Sequence, residues 1–265
     1  MNAPLNHPLP LLELDVLRTF IAIAETGTLP WLCRKQGGDA VRITTRASRL
    51  PTGVLPARLH DHAIEIISAA FPGAIEPVED ALSAALMNAG PIIHPPLILM
   101  NAGPIQHFDR WDIHNEGTQP AIRAVQDALD AERIAIREAL GYGAPHFPLA
   151  DHYNTSNWMY GNLAHDKLVG SGDWHETLDL DQHRYMTEDI GQGLTFLVSV
   201  GDWLGVPCPV ARGLLSVAGA VTNRDLLAEG RTLKQLGLAR SDRTVVQDML
   251  QQGLPPEAKA TRIER

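Results

Sequence analysis

The chain has 265 residues, 45% of them apolar and 20% charged, with a formal net charge of −9 at pH 7. That length and apolar share suffice for a folded core, and an acidic balance without a Lys/Arg-rich block argues against a nucleic-acid surface, which gathers cations to neutralise phosphates. Two cysteines, Cys33 and Cys208, exclude a disulfide framework, and there is no CxxC pair to suggest zinc. The start of the chain is interrupted by Glu13, Asp15 and Arg18 and lacks a positive n-region, unlike a signal peptide. The apolar stretch Leu194 to Val221 contains Asp202, Arg212 and prolines, unlike a membrane span. The expected setting is the cytoplasm, with no membrane or nucleic-acid partner.

In chain order, Leu11 to Ala24 is expected to form a helix, with Leu12, Val16, Phe20 and Ile23 on one face. Thr28 to Arg34, Val41 to Thr45 and Thr52 to Leu55 are short β-branched-rich runs separated by Gly37-Gly38 and Pro51, and predict two or three strands. Arg58 to Ala70 predicts a helix stopped by Pro72-Gly73. From Glu79 the strand signal disappears. Glu79 to Ala89 reads as a helix, and Pro91 to Ile105 as a proline-punctuated apolar segment. Pro120 to Leu140 is the clearest helix, with Ile122, Val125, Leu129, Ile136 and Leu140 recurring and Gly141 as its stop. Asp151 to Asp181 is polar and glycine-bearing, a long loop of the kind that often carries function. Helices follow at Glu188 to Leu204 and Val210 to Val221, then a last helical pair over Asp225 to Leu238, and a tail from Pro255 that is expected to fray.

Three G-x-G pairs occur, at Gly141/Gly143, Gly170/Gly172 and Gly191/Gly193, but each lacks the third glycine and none follows a strand. A dinucleotide fingerprint needs that context, because its glycines let the backbone approach a pyrophosphate at a helix start. No cofactor-binding residues can be named. Eleven histidines include His60/His62, His107/His114 and His146/His152, none at the i, i+4 spacing of an H-E-x-x-H helix, so no metal is expected. Metal-dependent hydrolysis by the histidine-rich 94–183 region is a minor alternative.

Six separated segments stand in one order: Glu25 to Arg34 (ETGTLPWLCR); His94-Pro95 followed by Leu99 to Ala102 (LMNA); Glu116-Gly117-Thr118 leading into Asp130 to Arg133 (DAER); Arg184 to Asp189 (RYMTED); Gly205 to Pro209 (GVPCP); and Glu229 to Leu233 (EGRTL) with Leu236 to Leu238 (LGL). In this the chain resembles the octopine/nopaline (opine) dehydrogenase family over roughly residues 25 to 238. The resemblance implies a mainly α fold: a multi-helical, 6-phosphogluconate-dehydrogenase-like C-terminal domain preceded by a small α/β remnant of a Rossmann domain. It implies reduction, with NAD(P)H, of the imine formed from an amino acid and a 2-oxo acid. It implies that His94 is the catalytic histidine, Asp189 its acidic partner, and Arg184 a substrate-binding arginine whose planar fork suits a carboxylate. On the residues alone, His94 also suits a satisfied core histidine, Asp189 a first-turn acid favoured by the helix dipole, and Arg184 a surface charge. On one α-helix Arg184 and Asp189 would stand about 140° apart, so they converge only if Arg184 precedes the helix.

The family often has an asparagine four residues before the histidine, where this chain has Gly90. Leu12 to Gly27 (LELDVLRTFIAIAETG) resembles the first helix of LysR-type regulators, and a lone helix cannot read a groove. The expected division is residues 1–27 as a helix of foreign character, 28–75 as the α/β remnant and 76–265 as the helical substrate domain. Relatives carry a dinucleotide domain ahead of the ETGTLPWLCR segment, where this chain has 24 residues, so a truncated chain, inactive alone, is expected. The alternative is a non-catalytic helical binding or dimerisation module, and a homodimer is left open.

Overall fold

The computed structural model describes residues 30–34, 41–46, 49–149 and 178–253. The expected helix at Leu11 to Ala24, loop residues 151–177 and the tail from Pro255 lie outside them. Pro30–Arg34 (β1) and Val41–Arg46 (β2) pair antiparallel, with a register shift between Pro30 and Leu32. Leu50–Thr52 (β3) pairs parallel with Ile75–Pro77 (β4). A parallel pair needs a crossover, and it is supplied by a 3-10 turn at Ala57–Leu59 running into helix α1, His60–Ala70. The strand expected at Thr52 to Leu55 therefore lies earlier. It ends at Gly53 because the Asp80 carbonyl occupies the space a Cβ would need. Its partner β4 escaped notice because a three-residue strand ending in proline carries no period. Phe71 and Ala74, with Leu50, Ile67 and Ile75 against them, form a small separate core. Arg49 ties this unit together and to the helices: its Nε and Nη2 donate to Glu76 at 2.7 and 2.5 Å, and its guanidinium lies 4.9 Å from the Phe147 ring centre.

Among the described residues no strand follows Pro77. The helices are α2 (Ala81–Ala85), α3 (Gly90–Met100), α4 (Ala102–His107), α5 (Pro120–Leu140), a π-helix at Tyr185–Leu194, α6 (Thr195–Leu204), α7 (Pro209–Thr222), α8 (Leu226–Glu229) and α9 (Arg243–Gln252). Helix α3 is apolar on every side and buried, as a central helix must be. It packs most extensively against the π-helix and then against α5. Residues 81–100 are long and apolar enough to cross a membrane by composition, but 67% of that window is buried in the fold and the helix breaks between Ala85 and Gly90.

The bounds of α5 are those its periodicity predicts, and it ends at Gly141 with φ of 86°. Ile122, Leu129, Ile136 and Leu140 are buried on it, together with Gln126, Asp130, Glu132, Arg133 and Arg137. Each of these side chains has at least one partner, as burial requires, while Gln126 Oε1 and Arg137 Nη2 are buried without a hydrogen bond. Arg133 donates from Nε to Asp130 (2.7 Å), from Nη1 to the Leu86 carbonyl (2.9 Å) and from Nη2 to the Phe147 carbonyl (3.1 Å). Glu132 accepts from the amides of Val210 and Ala211 at 2.7 and 3.0 Å, capping α7. Cys208, just before α7, is buried with its sulfur where a side chain at Gly201 would sit; burial first, and then Glu132 and Asp202, push the thiol up to about 11.

The helical pair expected over Asp225 to Leu238 reduces to α8 and a turn. At Gly230 the Gly191 carbonyl approaches too closely for any Cβ, so the chain leaves the helix to pack there. Helix α9 carries a short apolar stripe, Val245, Val246, Met249 and Leu250, of which only Val246 is buried.

Candidate active site

Glu188 to Leu204 reads in sequence as one α-helix. Its first part instead belongs to the π-helix Tyr185–Leu194, and α-geometry resumes at Thr195. A π-helix closes hydrogen bonds from i to i+5. Arg184, the residue before its first turn, and Asp189 are thus about one turn apart along it, not on faces about 140° apart as in an α-helix. The junction is held by Thr195, whose Oγ1 lies 2.9, 3.2 and 3.3 Å from the carbonyl oxygens of Gly191, Gln192 and Arg231. Two glycines let α3 and the π-helix close on each other: a Cβ at Gly193 would overlap the Pro91 ring, and one at Gly90 would overlap the Asp189 carboxylate.

That approach brings His94 of α3 onto Asp189 of the π-helix. The Nδ1–H of His94 donates to Asp189 Oδ2 at 2.7 Å, and both residues are buried, 8% and 7% exposed. A ring nitrogen so occupied fixes the tautomer and leaves Nε2 as the one for proton exchange. The imidazole stacks on the Tyr185 ring, with centroids 3.7 Å apart and planes at 9°. The Tyr185 hydroxyl and His114 Nε2 share a hydrogen bond of 2.7 Å. His183 meets the Tyr185 ring edge-on at 4.3 Å. Burial holds the Tyr185 phenol well above its ordinary range, so it stays protonated. Burial, then His94 and Arg184, hold His183 below the usual histidine value, with Asp189 opposing. Arg184 stands exposed at the start of the same helix, its Nε 3.6 Å from Glu188 Oε2. The structure thus joins His94 to Asp189, and leaves Arg184 just ahead of the π-helix, beside Glu188.

Two consequences can be measured. Gly90→Ala is expected to push the Asp189 carboxylate off His94 while costing only about 1–3 kcal/mol of stability. A high-resolution structure of the variant with the 2.7 Å contact intact would contradict this. Because folded His183 resists protonation and the unfolded chain does not, its contribution to stability is present above about pH 6.5 and is lost as pH falls below that. The melting temperature should therefore fall between neutral pH and pH about 5 more steeply in the parent than in His183→Gln; parallel curves would refute the assignment.

Tyr185 and His114 were not singled out from sequence. Tyr185 lies inside the RYMTED segment without a role, and His114 was weighed only as a metal ligand paired with His107. No spacing rule links residues 71 apart. Among the described residues no group of three His, Cys, Asp or Glu side chains is placed to hold a metal ion.

The helical body with this paired histidine and acid matches a known family. The model of the NAD/NADP octopine/nopaline dehydrogenase alpha-helical domain fits residues 77–222, and the chain belongs to that family. Opine dehydrogenase of Arthrobacter sp. (strain 1C) is 28% identical over 228 residues, covering 83% of this chain and 61% of the relative. Vitopine synthase of Allorhizobium ampelinum (strain ATCC BAA-846 / DSM 112012 / S4) is 27% identical over 250 residues, covering 87% and 64%. The chain thus spans less than two thirds of the length of these relatives. A solved octopine dehydrogenase in complex with NADH and agmatine aligns with a TM-score of 0.54 at 17% identity, covering 82% of this chain and 64% of that one. Another, with NADH and L-arginine, aligns with a TM-score of 0.54 at 17% identity, covering 86% and 64%. At such identity these structures establish a shared fold.

Proposed function

We propose that this chain carries the substrate-binding and proton-transfer half of an opine dehydrogenase-type oxidoreductase acting on a CH–NH bond. The reaction condenses the amine of an amino acid with a 2-oxo acid, with loss of water, and reduces the resulting imine to a secondary amine dicarboxylate. In this reading His94 exchanges a proton with the substrate through Nε2, and Asp189 holds its ring by the bond at Nδ1. Arg184 takes a substrate carboxylate, exchanging the exposed Glu188 for a bidentate partner. The observation that carries the reading is the buried His94–Asp189 hydrogen bond, made between elements 95 residues apart within a fold of this family.

The reductant of the family is NAD(P)H, and the described residues do not fit it. The turn after β3 has one glycine, Gly53, whose open side is filled by the Asp80 backbone, so no amide cradle faces outward for a pyrophosphate. We therefore place the nicotinamide on a dinucleotide-binding fold outside the described residues.

The test compares the chain with a fusion carrying the dinucleotide-binding domain of the Arthrobacter relative ahead of Glu25. Each is offered NADH or NADPH with pairs of amino acids and 2-oxo acids. The fusion should consume reduced nicotinamide only when both partners are present, and mass spectrometry should detect the secondary amine. The 265-residue chain should show no saturable NADH binding by calorimetry. A fusion that folds and binds NADH yet forms no secondary amine with any such pair would favour the non-catalytic helical module instead.

A further inference from the structure

We propose that Tyr185, pinned by His114, is a positioning residue for His94: its ring holds the imidazole in the orientation that leaves Nε2 facing the substrate. The catalytic meaning of this rests on the proton-transfer reading of His94; the geometry does not.

A single hydrogen bond does not orient an imidazole. The bond from Nδ1 to Asp189 fixes one edge of the ring at 2.7 Å but leaves it free to rock about that contact. A parallel aromatic face removes the freedom, because tilting the ring breaks stacking contact on one side and creates overlap on the other. Tyr185 supplies that face at 3.7 Å and 9°.

The tyrosine ring is itself held at three places. Its hydroxyl bonds to His114 Nε2 at 2.7 Å, its ring meets the edge of His183 at 4.3 Å, and its backbone amide donates to His183 Nδ1 at 3.3 Å. His114 in turn sits in a tight turn, where Asp112 accepts the amides of His114 and Asn115 at 3.2 and 3.0 Å, and Glu116 accepts the amide of Asp112 at 3.0 Å. The hold therefore passes from the segment after α4, through His114 and Tyr185, to His94. Tyr185 and Asp189 also lie one turn apart on the same π-helix, so both contacts on His94 move as one body. Tyr185 is 3% exposed, so its hydroxyl must be paired, and the partner it takes, His114, sets where its ring lies.

The experiment uses the whole chain labelled with 15N-histidine. Long-range proton–nitrogen correlation spectra report the tautomer of each ring, and His94→Gln identifies the His94 signals. The parent should show a single His94 state with Nδ1 carrying the proton bound to Asp189. Tyr185→Leu removes the ring and should give mixed or exchange-broadened tautomers. Tyr185→Phe and His114→Gln keep the ring but release the pin, and should each shift the His94 signals less than the leucine variant does. If Tyr185→Leu does not fold, the phenylalanine and glutamine variants decide the matter. His94 signals identical to the parent's in every folded variant overturn the proposal. In the fusion, Tyr185→Phe should lower kcat about tenfold with substrate KM within about twofold, since a small misplacement of a reacting group costs rate more than binding; an unchanged kcat also overturns it. Full activity in His94→Gln would instead sink the proton-transfer reading, and the tautomer spectra would still decide whether Tyr185 positions the ring.

Discussion

Replacing His94 with glutamine in the fusion protein is expected to lower kcat/KM for imine reduction about 10²–10⁴-fold, the range general acid–base catalysis supplies. Glutamine nearly fills the histidine's space and places its amide near the position of Nε2, where it cannot exchange a proton. The loss should therefore fall on kcat, with KM nearly unchanged and the far-ultraviolet spectrum preserved. Asp189→Asn tests the same pair from the other side. It replaces the carboxylate that accepts the Nδ1 proton, and its effect should not add fully to that of His94→Gln, because the two residues act as a unit. Arg184→Ala should behave differently, raising KM for the carboxylate-bearing partner more than it lowers kcat. Initial rates near the parent's for His94→Gln would reject the site.

The largest effect on stability is expected at a residue with no part in the chemistry. Arg133→Leu should cost about 3–5 kcal/mol, read as a shift of the denaturant midpoint, because it breaks a buried ion pair by removing one partner. Asp130 is 5% exposed and would be left with a carboxylate whose remaining bond is from the Leu149 amide, at 2.6 Å. The carbonyls of Leu86 and Phe147 would lose their guanidinium donor as well. Changing Asp130 to leucine in the same chain removes the stranded charge, so the double variant should recover part of the loss. A cost below about 1 kcal/mol for the single variant would mean that water reaches the site and replaces the arginine.

The parts of the fold readable in the sequence are those where one element's own pattern decides its structure. Helices α5 and α7 carry apolar stripes bounded by Pro120 and Gly141 or by Pro209, and the structure follows them. β2 follows from its β-branched run, Val41, Ile43, Thr44 and Thr45, while its partner β1, on the other side of a glycine pair, holds no β-branched residue. The π-helix has no such local mark. Its winding depends on the glycines at 90 and 193, which let α3 approach, and on Thr195, which takes up the carbonyls at the change of geometry. For the same reason the offset of about 140° between Arg184 and Asp189 that an α-helix would impose does not apply, and Arg184 lies ahead of the helix. His94 and Asp189 could be named only through resemblance, since contacts across 95 residues have no spacing rule. The Tyr185 stack and its His114 bond lay further from view, because a buried tyrosine in an apolar setting looks like ordinary core.

The π segment also makes the chain longer than it needs to be to span its distance, since each of its turns takes up more residues than an α turn. A one-residue deletion at Gln192, on its less buried side, would let the segment rewind as α without dragging α6 out of the core. Tyr185 and Met186 would then rotate relative to Leu194, and Asp189 would swing away from α3. Because Tyr185 and Met186 are 3% and 1% exposed, such an indel would cost stability as well as separate the histidine from its acid.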